Sequence, residues 1–176
     1  MTIHSSDPFA TPEGEKSLLR RLRGRLPSAV TLWTANASDG SRAGLTVSST
    51  VVIDGDPGRV LGVLDRESVL WEAVEATGRF AMTPLRETHR QLADKFAGLM
   101  PAPGGAFHGR DWQPTDYGPI LAGASAWAGC RLDEARPRGF GLVVEATVEH
   151  IEIGGSDEEP PLIHYRGRYG TLTHRT

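Results

Sequence analysis

Leu142, Val144, Ala146 and Val148 alternate along this chain with Glu145, Thr147 and Glu149. A period of two with one apolar and one charged face marks a strand that lies on a core with one side and meets water with the other, as in antiparallel sheets. Runs of β type recur at residues 29–35, 43–49, 59–64, 79–85, 124–134, 142–149 and 161–172. Residues 36–42, with Asp39-Gly40, supply a hairpin turn. Pro84 places its run at a sheet edge or a strand end. Helical spacing is confined to residues 15–25, with Leu18, Leu19 and Leu22, to the face shared by Leu70, Ala73, Val74 and Thr77, and to residues 88–96. Gly78 and Gly98 stand where left-handed caps close the second and third of these. The expected fold is all-β dominated with short helices: an antiparallel barrel of Greek-key type with helices packed at its openings.

A chain of 176 residues, 39% hydrophobic and 23% charged, fits one soluble domain. Residues 1–13 read as a flexible arm and residues 14–176 as the domain. A net charge of −3 gives no footprint for nucleic acid. No run reaches the length of a membrane span, and no signal peptide is seen. The single cysteine, Cys130, allows no intrachain disulfide. A cytoplasmic protein with no metal is expected, since the six histidines are scattered.

Glycine-rich nucleotide motifs and a nucleophile elbow are absent. Four segments remain that could carry chemistry. In AGLTVSS (43–49), Leu45 and Val47 share one face while Thr46, Ser48 and then Thr50 share the other, a row of hydroxyls. In LDRES (64–68), a strand hands over to a helix at Asp65, Arg66 and Ser68. These residues are either a phosphate site or simply a helix cap beside a solvated arginine. RFAMTPL leads to QLADKFAG. In HYRGRY (164–169), a period of two puts His164, Arg166 and Arg168 on one face and Tyr165 and Tyr169 on the other; an edge strand carrying protective charge has the same look. Residues 99–118, dense in Gly and Pro but holding Phe107, Trp112 and Tyr117, read as an ordered loop folded over something.

Taken in order, GLTVSS, LDRES, GRFA, LADKFAG, the Trp112 to YGPIL segment, the AW and CRL of residues 126–132, and HYRGRY resemble the flavin reductase-like family of FMN-binding split barrels, in its actinobacterial form, over about residues 20–172. The resemblance implies FMN, or FAD, lying outside the barrel near a homodimer interface. It implies flavin contacts from Thr46, Val47, Ser48 and Ser49, the phosphate at Asp65, Arg66 and Ser68, further contacts from Arg168 and Tyr169, and His164 near the nicotinamide. Thr83 stands where many relatives carry asparagine, and TVVIDGDPGRV (50–60) departs from the usual sequence. The implied activity is hydride transfer from NADH or NADPH to flavin, with reduced flavin passing to a partner monooxygenase. The alternatives are an FMN-binding protein without turnover and a split-barrel enzyme using a deazaflavin reductant.

Overall fold

The computed structural model describes residues 17–154 and 159–172. The expected N-terminal arm, residues 1–13, lies outside these residues. In chain order come α1 (Leu18–Arg23), β1 (Ser28–Ala29), β2 (Thr31–Asn36), β3 (Arg42–Val47), β4 (Val51–Ile53), β5 (Arg59–Leu64), α2 (Val69–Thr77) and β6 (Arg79–Pro84). A 3₁₀ turn (Glu87–His89) then leads into α3 (Arg90–Phe96), β7 (Trp112–Gln113), β8 (Ile120–Leu121), β9 (Ala126–Arg138), β10 (Gly141–Ile153), β11 (Leu162–Tyr165) and β12 (Arg168–Thr171).

Seven of these strands form one sheet in the order β3-β2-β6-β9-β10-β5-β4, and every pairing in it is antiparallel. β6 is therefore an inner strand, and Pro84 closes its end, where the missing N–H costs no ladder bond. The sheet curls on itself: edge strand β3 reaches β5 through Ser49, whose Oγ accepts from the Val63 amide at 2.9 Å and donates to the Val63 carbonyl at 3.1 Å. Trp33 fills the enclosed space. Its ring stacks on Phe80 of β6 at 4.4 Å, and its edge occupies the site where a Cβ of Gly62 on β5 would stand, 2.5 Å from Cη2. The indole N–H donates to Thr31 Oγ1 at 3.0 Å, which fixes the ring's orientation.

β10 carries the alternation read from the sequence, with Leu142, Val144 and Ala146 buried. Val148 continues it, packed against the same core. Thr147 keeps to the other face with Glu145, where Arg59 and Asp133 cover it: its Oγ1 accepts from Arg59 and donates to Asp133 Oδ2 at 2.6 Å, beside a register shift that leaves Asp133 as the extra residue of β9. β4 lies outside the runs of β type expected from the sequence.

α2 plugs the barrel with Leu70, Ala73 and Val74. Gly78 caps it at φ 71°, the left-handed conformation that glycine adopts without strain. α3 does not sit at an opening. Leu92, Ala93 and Phe96 pack with Val30 and Leu32, on the face of β2 opposite Trp33, so the helix covers the outside of the sheet. Its position follows from β2 being apolar on both faces. The loop after α3 folds back onto it: Phe96, Phe107 and Trp112 form an aromatic cluster with centroids 4.8–5.9 Å apart.

Candidate functional site

β3 keeps the predicted core face, with Ala43 and Val47 buried and Leu45 packed against the same cluster. The opposite face is not a uniform row of hydroxyls. The strand ends at Val47 and the chain bends at Ser48, so period two fails there. Thr46 Oγ1 donates to the Ala93 carbonyl of α3 at 2.8 Å. Ser49 is committed to Val63, and Thr50 bonds Thr31 at 2.8 Å. Their hydroxyl protons hold the barrel closed or fasten α3, leaving those groups little to offer a ligand. Val47, 2% exposed, can present only its backbone. Ser48 differs. It is exposed and forms no side-chain hydrogen bond within the described residues, and the amides of Ser48, Ser49 and Thr50 donate to no backbone carbonyl among them.

The clamp from Ser49 to Val63 sets this bend beside the exit of β5, three residues before Arg66. In that turn Asp65 Oδ1 accepts from the Glu67 amide at 3.0 Å. Ser68 is the N-cap of α2: its Oγ donates to the Asp65 carbonyl at 2.7 Å and accepts from the Trp71 amide at 3.2 Å. The hydroxyl of Ser68 is thus spent on the cap, the plainer of the two readings open from the sequence. Arg66 is exposed and takes part in none of these bonds. The first amides of α2, at Val69 and Leu70, have no partner within the helix.

The HYRGRY segment is a hairpin and not one strand. Arg166, at φ 51°, and Gly167, at φ 77°, form a two-residue turn between β11 and β12. His164 therefore pairs with Tyr169, and Tyr165 with Arg168, which replaces the faces expected from period two. The His164 and Tyr169 rings meet edge to face at 5.9 Å. Burial and the charges of Asp94, which accepts a hydrogen bond from the phenol, push Tyr169 up to about 12. Burial, with the charge of Arg23, lowers His164 below its ordinary value, so the ring is neutral at pH 7.

α3 thus joins two predicted site segments at consecutive residues: Ala93 holds Thr46 and Asp94 holds Tyr169. Neither Ala93 nor Asp94 was singled out from the sequence, although LADKFAG was among the quoted motifs. Thr83 stands apart from the accessible groups. Its strand is inner, its residue is 3% exposed, and Leu32 lies between it and Thr46 across the sheet, so its side chain is closed to a ligand here. Arg168 is exposed on the hairpin's other face. A cleft of about 550 Å³ opens elsewhere, between the 3₁₀ turn and the loops at residues 109–111 and 121–124, and includes none of the residues singled out as flavin contacts. Among the described residues no helix is long and apolar enough to cross a membrane.

Residues 23–173 match the flavin reductase like domain. The chain belongs to the flavin reductase-like family. This flavin reductase-like protein is 34% identical over 167 residues to an FMN reductase (NADH), RutF 2, of Methylorubrum extorquens, covering 94% of this chain and 92% of that one. It is 29% identical over 152 residues to a flavin reductase of Pseudomonas putida, with 86% of each chain covered. Among solved structures, nitrilotriacetate monooxygenase component B from Mycobacterium thermoresistibile superposes with a TM-score of 0.79 at 30% identity, over 88% of this chain and 85% of that one. The sheet described above is the split barrel of this family.

The residues at the bend suit a flavin mononucleotide. A hydroxyl and three successive amides that have no hydrogen-bond acceptor among the described residues match the polar edge of a planar heterocycle. The exposed Val51, Val52 and Val63 supply apolar surface next to it, and Arg66 supplies charge for a phosphate.

Proposed function

We propose that this protein is a flavin reductase that binds FMN at the bend after β3 and reduces it with NADH or NADPH. The observation that carries the reading is the set of unsatisfied donors at residues 48–50 beside Arg66, in a chain of this family. When bound, the flavin supplies a ring that takes up a hydride from the nicotinamide. Ser48 and the adjacent amides orient the ring edge, and Arg66 with the first amides of α2 holds the phosphate. Tyr169 stays protonated at neutral pH and donates to Asp94, so it orders the hairpin and acts as no base. His164, neutral at pH 7, adds no charge beside a cationic nicotinamide product. No acid or base residue is called for, because positioning two rings in contact accounts for the rate. Residues 14–176 form the flavin-binding domain on this reading. The RutF 2 relative named for FMN and NADH supports the cofactor and the donor, and the monooxygenase component B supports a partner monooxygenase as the consumer of reduced flavin.

Anaerobic mixing of the purified, FMN-loaded protein with NADH or NADPH tests the activity. The flavin absorbance is expected to bleach within the mixing experiment with at least one donor. A yellow protein that neither donor bleaches would leave flavin binding without turnover.

Ser48→Ala is expected to retain the parent's melting temperature, since Ser48 is exposed and its side chain bonds none of the described residues. FMN affinity should fall about five- to thirtyfold, the cost of one lost hydrogen bond. Unchanged affinity in a flavin titration would remove the bend from the site.

A homodimer completes the proposal. Leu18, Leu19, Leu22 and Leu26 of the α1 region are 57–79% exposed, and Val51, Val52 and Ile53 of edge strand β4 are 47–64% exposed. Apolar surface on this scale, next to an external flavin, favours cover by a second copy. Light scattering is expected to give twice the chain mass of 19.0 kDa; the monomer mass with flavin bound would count against it.

A further inference from the structure

We propose that Arg20 and Arg23 of α1, with Arg166 of the β11–β12 turn, bind the phosphates of the nicotinamide dinucleotide; the proposal rests on the reductase reading above. α1 and the turn are in contact, the Arg166 amide donating to the Gly24 carbonyl at 2.9 Å. Residues 18–26, LLRRLRGRL, and 162–172, LIHYRGRYGTL, hold six arginines and no acidic residue, in a chain with 22 acidic and 19 basic side chains. No ion pair among the described residues joins these arginines to a carboxylate. Arg20 and Arg23, at i and i+3, share a face of α1 opposite Leu18. Leu19, four residues before Arg23, borders that face, so the positive surface adjoins the apolar stripe that a second copy would cover.

Continuity with the flavin bend selects the ligand. The hairpin carrying Arg166 also carries His164 and Tyr169, and Tyr169 is fastened to Asp94, next to the residue that holds Thr46. A nicotinamide placed at the His164 and Tyr169 edge leaves its two linking phosphates to run back over the arginines. Guanidinium groups match phosphate oxygens in geometry and charge.

Two titrations and one rate comparison test this on the full chain. Calorimetric binding of ADP-ribose, which has the phosphates without the nicotinamide, is expected to weaken about five- to thirtyfold in the double variant Arg20→Gln/Arg23→Gln, and less in Arg166→Gln. The KM for the reduced dinucleotide should rise by a similar factor. The rate with 1-benzyl-1,4-dihydronicotinamide, a hydride donor without phosphates, should stay within twofold of the parent. ADP-ribose affinity equal to the parent's would overturn the assignment, whether the arginines face water or an acidic protein. An equal loss with the phosphate-free donor would overturn it too, because the variants would then act through the flavin site. If the parent itself reduces no flavin with either dinucleotide, the reductase reading fails first, and that result is distinguishable from both.

Discussion

Gly62→Val lowers the stability of the barrel by about 3 kcal/mol or more, the upper range for overpacking a core. A first side-chain atom at residue 62 would already stand 2.5 Å from Cη2 and 2.8 Å from Cζ2 of Trp33. The indole has nowhere to go. It is 0% exposed, stacked on Phe80 and tied through its N–H to Thr31. Thr31 Oγ1 in turn donates to the Val47 carbonyl at 2.8 Å, so displacing the ring disturbs the end of β3 as well. A loss of this size corresponds to a fall in melting temperature of about 6–12 °C for a domain of this length. Gly154→Ala is the matched control, since a Cβ there meets nothing within 4 Å. Thermal unfolding followed by circular dichroism reads both; a Gly62→Val transition within 2 °C of the parent would show that the barrel interior has room the structure denies.

Arg66→Ala should leave the fold intact and cost about 10- to 100-fold in FMN affinity, the worth of a charge-assisted hydrogen bond to phosphate. Riboflavin, which lacks the phosphate, should bind the variant and the parent alike. The parent is expected to prefer FMN to riboflavin and to bind one FMN per chain, and the preference should shrink as salt is raised because Arg66 is exposed. Fluorescence titration of both flavins against both proteins supplies the four constants needed. An FMN-to-riboflavin ratio that survives the substitution would move the phosphate away from the β5–α2 turn. Because Ser68 is committed to the helix cap, Ser68→Ala should act mainly through stability, by about 1 kcal/mol.

Much of the architecture is legible in local chemistry. The alternation at 142–148 marks β10 because a strand on a core exposes every second residue, and the glycine after Thr77 stops α2 because only a residue without Cβ enters the left-handed region freely. The order of short motifs likewise pointed to the family that the domain match shows. Three features were settled by contacts between residues distant along the chain. The hairpin inside 162–171 escaped period two because Arg-Gly is a poor turn signal beside Asn-Gly, and the pairing of Leu162 with Thr171 decides the fold of that segment. Thr147 keeps its place on the outer face of β10 yet is 6% exposed, because Arg59 and Asp133 close over it from the neighbouring strands. The hydroxyls of Thr46, Ser49 and Thr50 look equivalent to Ser48 in AGLTVSST, yet each finds a partner on another element, at Ala93, Val63 and Thr31. Residue type alone states what a group can donate; which donors are left for a ligand depends on which are already satisfied within the fold, and that only tertiary packing decides.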